Sequence, residues 1–246
     1  MNPITLTIFW ILIGIILFPV ILKYKAPYGR HSSKKWGKTI KNKTGWILME
    51  LPALLVCPMV YFFNISTLYS LNTFFIFLWL IHYTNRTIIY PLRIKTKGKK
   101  MPFLIAFSAI IFNIINGIVN GYFLSVTSYE NHHYLLLVLG LVLFMSGFII
   151  NIKSDNKLIG LRSKNEENKY VIPKGGLFHY ISCPNFFGEL VEWFGFALMS
   201  YNIGSLSFFI WTFINLVPRA LSHHKWYNEN FNDYPKHRKA IIPKLI

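Results

Sequence analysis

His133-Tyr134-Leu135-Leu136-Leu137-Val138-Leu139-Gly140-Leu141-Val142-Leu143-Phe144-Met145-Ser146-Gly147-Phe148-Ile149-Ile150-Asn151-Ile152 is a run without a single acid, lysine or arginine. Wound as a helix at ~1.5 Å per residue, such a run spans the ~30 Å hydrocarbon core of a bilayer. On its N-terminal side, comparable runs occupy Ile4–Leu22, Gly45–Phe63, Leu71–Tyr90 and Phe103–Val126. Two more, Phe186–Tyr201 and Leu206–Leu221, crowd the C-terminal third; both are shorter than the other runs, and the first is the more polar. The chain is 53% hydrophobic and 14% charged, too apolar for an ordinary soluble domain. The expected fold is all-α: residues 1–246 form a single membrane domain, a bundle of seven transmembrane helices.

The net charge of +17 would suit nucleic acid, but its distribution argues against that partner. Lys23–Lys43 carry eight Lys/Arg, Arg93–Lys100 five, Lys153–Lys174 six and Arg219 to the end six; the alternate connections carry none. The positive-inside rule then places the N-terminus outside and the C-terminus in the cytoplasm. The basic connections would attract anionic lipid or a polyanionic ligand on that side. The first run lacks a basic n-region and a small-residue cleavage pattern, so it reads as a retained span rather than a signal peptide. Cys57 and Cys183 are not placed for a disulfide. The pairs His132-His133 and His223-His224 lack further ligands at metal spacing, so no metal is expected. Asn42, Asn64 and Asn85 begin glycosylation sequons, of which only Asn64 is expected outside.

Three glutamates, Glu50, Glu189 and Glu192, interrupt these apolar runs. An acid at a helix centre in a bilayer costs roughly 2.5–3.5 kcal/mol, and such residues face a protein interior or a cavity. Glu50 lies near Pro52 and Pro58, where it reads either as an interfacial residue or as a buried acid. Tyr83, Arg86 and Tyr90 fall at i, i+3 and i+7, one helical face. The tyrosines there are either interfacial anchors or cavity groups, and Arg86 either snorkels or binds. Asn113, Asn116 and Asn120 share a face with Gly117 and Gly121, a pattern suited to helix packing or to lining a cavity. If the fifth helix continues beyond Ile152, Asn151, Asp155 and Arg162 share a face, as an exposed ion pair or as a grip on hydroxyl and phosphate. Tyr170 precedes Lys174-Gly175-Gly176, a turn that permits close backbone approach to an anion. Glu189 and Glu192 lie one turn apart beside Asn185, where the helix dipole also favours acids. Arg219, His223 and Tyr227 continue one face, and the tail Asp233–Pro243 is basic enough to lie on headgroups. Together these faces describe a polar cavity opening to the cytosol.

Several motifs resemble the steroid 5α-reductase (3-oxo-5α-steroid 4-dehydrogenase) family. They are Glu50-Leu51-Pro52; His82-Tyr83 through Arg86-Thr87 to Tyr90; Asn116-Gly117 with Gly121-Tyr122; and Asn151 with Ser154-Asp155. The resemblance continues through Leu161-Arg162; Pro173 with Gly175-Gly176-Leu177-Phe178; and Asn185-Phe186 with Gly188-Glu189 and Glu192-Trp193. It closes with Arg219-Ala220, His223-His224, Tyr227 and Asp233-Tyr234-Pro235. It implies a seven-helix membrane enzyme that uses NADPH to reduce the C4–C5 double bond of 3-oxo-Δ4 steroids. It also implies that Glu50 and Tyr83 hold the substrate's C3 carbonyl. By the same resemblance Arg86, Tyr90, Asn151, Asp155, Arg162, Tyr170, Asn185, Glu189, Glu192, Arg219, His223 and Tyr227 surround the cofactor. The chain departs from the family at Met49, Ser108 and Val171, which bears on the particular steroid and on some phosphate contacts.

Reduction of an enone gathers negative charge on the carbonyl oxygen, and donors fixed at that oxygen in a dry site lower the barrier. Tyr83 supplies a phenolic O–H. Glu50 donates in its protonated form, the form that burial favours. Ketosteroid isomerase pairs a tyrosine with a neutral acid at an oxyanion in the same way. No strand followed by Gly-x-Gly-x-x-Gly occurs, so helix faces and loops would grip the dinucleotide. The rival readings are an enoyl-CoA or polyprenol reductase, a membrane methyltransferase, and a sterol-binding protein. The steroid is expected from the membrane, the protein as a monomer, and the compartment as a bacterial inner membrane or the endoplasmic reticulum.

Overall fold

A computed structural model describes residues 2–24, 36–65, 71–96, 98–129, 133–164 and 170–246. Ser66 of the Asn64 sequon, His132 and residues 25–35 of the first basic connection lie outside the described residues. The protein is nearly all α, with α1 (Pro3–Lys23), α2 (Asn42–Asn64), α3 (Leu71–Thr84), α4 (Tyr90–Arg93), α5 (Phe103–Val126), α6 (Tyr134–Lys164), α7 (Pro184–Ser200) and α8 (Ile203–Asn230). Five of these, α1, α2, α5, α6 and α8, are long and apolar enough to cross a membrane. The other two expected spans are shorter α segments, α3 with 14 residues and α7 with 17.

α3 does not stop at Thr84. It runs through a π-helical stretch, Asn85–Ile89, into α4. Pro91 explains the break in the α ladder: it has no N–H for the carbonyl of Thr87. The N–H of Tyr90 bonds Asn85 O instead, five residues back. The i, i+3, i+7 spacing of Tyr83, Arg86 and Tyr90 presumes an uninterrupted α phase, which this stretch does not keep.

Two short strands, β1 (Thr39–Lys41) and β2 (Lys100–Pro102), pair antiparallel with Ile40 opposite Met101. Three residues each are too few to show an alternating pattern, so this ribbon has no sequence signal. It ties the start of α2 to the start of α5, and Met101 tucks against Gly45. Along α2 and α5 the packing is backbone-close. A Cβ on Gly121 would lie 2.5 Å from Cys57 O, and one on Gly117 2.9 Å from Val56 Cβ. Asn116 and Asn120 sit in this packed region, and Asn116 accepts from Trp10 Nε1 of α1 at 3.4 Å.

A core of aromatic rings, Trp79, Trp193, Phe196, Phe144 and Phe75, fills the centre. The C-terminal tail, expected as a basic segment, also folds onto the protein. Lys239 N donates to Tyr180 O and Ser182 N to Lys239 O. Ala240 and Ile241 are then buried against α7 and α8, an apolar gain that the basic residues of the tail conceal in the sequence.

Candidate active site

The site begins with glycines, of which only Gly188 falls within a motif that carries the family resemblance. On α6, Gly140 and Gly147 face Gly195 and Gly188 of α7, two contacts seven residues apart on each helix. A Cβ on Gly188 would lie 2.6 Å from Asn151 N, and one on Gly147 would strike the backbone of Glu192. Only glycine lets the two backbones approach this closely. The approach sets α6 and α7 so that their polar residues interlock beyond the seam. Asn151 Nδ2 donates to Asn185 O at 3.0 Å and to Glu189 Oε2 at 3.2 Å. Asn185 Nδ2 donates to Asp155 Oδ1 at 3.1 Å.

Arg86, delivered by the π segment, completes this network. Its Nη1 lies 3.3 Å from Asp155 Oδ2 and its Nη2 3.6 Å from Glu189 Oε2. The guanidinium also sits over the rings of Trp46, at 5.3 Å, and Tyr90, at 5.1 Å. Both pairings are largely buried, so the charges balance one another rather than lying open to solvent.

Beside the network opens a cavity of about 470 Å³. Glu50 and Tyr83 line it, as do Arg86, Tyr90, Asp155, Arg162, Tyr170, Asn185, Glu189, Arg219, His223 and Tyr227. Apolar and aromatic side chains from α5 and α8, including Ile105, Phe112, Phe208 and Trp211, supply much of the remaining wall. Met49 and Ser108, two of the departures from the family pattern, also line it.

Asn151 and Glu192 do not line the cavity. The sequence expectation sets both against the cofactor; the glycine seam holds them one layer behind the wall. Glu192, fully buried, meets His82 Nδ1 through Oε1 at 2.7 Å. The Lys174-Gly175-Gly176 turn does adopt positive φ at both glycines, 80° and 58°, but it stays outside the lining. Lys157 Nζ bonds Gly175 O there at 3.4 Å. Among the described residues no group of three or more His, Cys, Asp or Glu is placed to hold a metal. Both cysteines are free thiols.

Several lining residues escape a reading of the sequence. Trp46 stands four residues before Glu50, and Trp211 and Asn215 precede Arg219 at eight and four, so helical spacing holds their signal. Lys95 and Lys99 look like plain loop charge, yet both line the cavity. Ser182 and Cys183 carry no signal. They reach the wall because the loop before α7 pairs with the C-terminal tail. Ser182 Oγ meets His224 Nδ1 at 2.6 Å and Tyr234 Oη at 2.7 Å. Tyr234 in turn stacks on Tyr227, centroids 5.1 Å apart and planes 7° off parallel.

Known proteins resemble this chain along most of its length. A family model described as 3-oxo-5-alpha-steroid 4-dehydrogenase matches residues 99–246. The chain is 41% identical to steroid 5-alpha-reductase DET2 of Solanum lycopersicum over 99% of its own length and 97% of that protein. It is 41% identical to the Arabidopsis thaliana protein of that name over 91% of this chain and 89% of the other. It is 36% identical to 3-oxo-5-alpha-steroid 4-dehydrogenase 1 of Bos taurus over 95% and 93% respectively. With the family's model matched over more than half of the chain and its relatives aligned almost end to end, this protein belongs to the 3-oxo-5-alpha-steroid 4-dehydrogenase (steroid 5-alpha-reductase) family of oxidoreductases.

Proposed function

We propose that this protein reduces the C4–C5 double bond of 3-oxo-Δ4 steroids to 5α-dihydrosteroids, with NADPH as the reductant. The observation that carries this reading is the single cavity wall shared by Glu50, Tyr83, apolar rings and a set of cations. A volume of about 470 Å³ lies within the usual ~300–1,000 Å³ of small-molecule sites.

The wall suits a phosphorylated dinucleotide. Arg86, Lys95, Lys99, Arg162 and Arg219 all line it and together attract phosphate. Asn185, Tyr170, His223 and Tyr227 offer hydrogen bonds beside them. When bound, the nicotinamide supplies a hydride for C5. As the enone is reduced, charge gathers on the C3 oxygen. Tyr83 donates its O–H to that oxygen and protonated Glu50 donates a second hydrogen bond. Phe112, Phe208 and Trp211 exclude water, which strengthens both bonds.

In the same reading all seven long helical stretches cross the bilayer, including Leu71–Arg93 and Pro184–Ser200. The N-terminus lies outside, and the cavity opens to the cytoplasm. The one-sided placement of Lys and Arg supports this orientation. The steroid enters from the membrane. In this reading one chain supplies both the oxyanion donors and the cations, and the protein acts as a monomer.

Glu50→Gln and Tyr83→Phe test the role assignment. Each should lower kcat by roughly 10²–10³ while nucleotide affinity stays within about twofold. Near-normal kcat in both variants would contradict it.

A further inference from the structure

Neither Glu50 nor Tyr83 can act at one carbonyl oxygen unless the helices that carry them hold a fixed register. Two anchored contacts bear on that register. Trp79, one turn before Tyr83 on α3, is fully buried, and its indole Nε1–H donates to Ala53 O of α2 at 2.8 Å. Ala53 lies three residues past Glu50, so this bond joins the turn bearing the acid to the turn bearing the phenol. The Trp79 ring packs on the Tyr83 ring at 4.8 Å. A buried indole N–H needs an acceptor, so the bond also selects the orientation of the ring that Tyr83 leans on.

A second brace approaches from α7. Consecutive residues His82 and Tyr83 meet consecutive residues Glu192 and Trp193. His82 Nδ1 is 2.7 Å from Glu192 Oε1, and its ring stands edge-on to Tyr83 at 5.0 Å. Trp193 packs against Tyr83 at 5.9 Å and against Trp79 at 5.2 Å. Neither Trp79 nor His82 nor Glu192 lines the cavity; all act on it through Tyr83.

We infer that Trp79, anchored on Ala53, and the His82–Glu192 pair are positioning residues that hold the Tyr83 hydroxyl in register with Glu50. The inference rests on the proposed role of Tyr83 as the carbonyl's donor. It accounts for a feature that apolar packing alone does not require: two separate hydrogen-bonded anchors meet at the neighbours of one cavity tyrosine.

The test is a double-mutant cycle on purified enzyme, read as kcat, substrate KM, nucleotide affinity by fluorescence titration, and thermal melting. Trp79→Phe keeps a ring but loses the N–H. It should lower kcat roughly 10–100-fold, with KM and nucleotide affinity within about twofold. In a Tyr83→Phe background, where no hydroxyl remains to be placed, the same substitution should cost no more than about twofold. In the second arm Glu192→Gln, which keeps an oxygen for His82, should stay within about threefold of the parent kcat, and Glu192→Leu should fall roughly tenfold. Equal losses from Trp79→Phe in both backgrounds would make Trp79 a packing residue and overturn the inference. So would Glu192→Leu retaining the parent kcat. If Tyr83→Phe alone left kcat intact, the proposed role of Tyr83 would fail first, a result distinct from the other two.

Discussion

Glu189 on α7 is held on two sides: Arg86 Nη2 lies 3.6 Å from its Oε2, and Asn151 donates to the same oxygen at 3.2 Å. Glu50 on α2 lines the same cavity, beside Tyr83 and the apolar side chains of α5 and α8. Both carboxylates interrupt apolar helices, and composition alone treats them alike. Both line the cavity; the difference is that Glu189 is also tied to Arg86 and Asn151. An acid enclosed by a guanidinium and an amide joins helices together. An acid facing an open volume is available to whatever enters it.

Arg86→Ala puts the heaviest strain on this contrast. Removing one partner of a buried ionic network typically costs about 3–5 kcal/mol, because Asp155 and Glu189 would be left uncompensated. Unfolding in detergent should show that loss, whereas Glu50→Gln should shift stability by less than about 1 kcal/mol. Equal destabilisation by the two would erase the distinction. Gly147→Ala comes next. The new Cβ meets the α7 backbone rather than a flexible side chain, so the seam should weaken by about 1–3 kcal/mol in the same assay. An unchanged melting temperature would show that the seam does not set the Asn151–Glu189 geometry. Arg162→Ala touches the cavity without entering the buried network. It should raise the NADPH dissociation constant roughly tenfold, about 1.4 kcal/mol, and leave steroid KM within about twofold. At the bottom stands Lys225→Ala. Its exposed pair with Glu229, at 3.8 Å, should be worth less than about 0.5 kcal/mol.

Much of this is legible in the sequence, and the misses have physical causes. α5 begins and ends where the apolar run does, at Phe103 and Val126, because hydropathy and helix share those boundaries. The face Arg219, His223, Tyr227 reaches the cavity because α8 keeps an α phase through it. Glu192 has a spacing that matches a face shared with Glu189, while the partner it meets, His82, lies far away in sequence. Gly140 and Gly147 pass as ordinary membrane glycines; only the facing Gly195 and Gly188 give them meaning. The tail looks like a surface segment because its charges outnumber Ala240 and Ile241, the residues that anchor it. Ser182 and Tyr234 meet only through that fold-back, which no local pattern encodes.

If the cavity binds an enone ketone between Glu50 and Tyr83 and reduces it, turnover should follow the steroid. The direct test is NADPH oxidation by the purified protein, with product analysis, for a 3-oxo-Δ4 steroid such as testosterone set against an enoyl-CoA thioester. The expected result is NADPH consumption with the steroid and a 5α-dihydrosteroid as product. Turnover of the thioester with none of the steroid would contradict it.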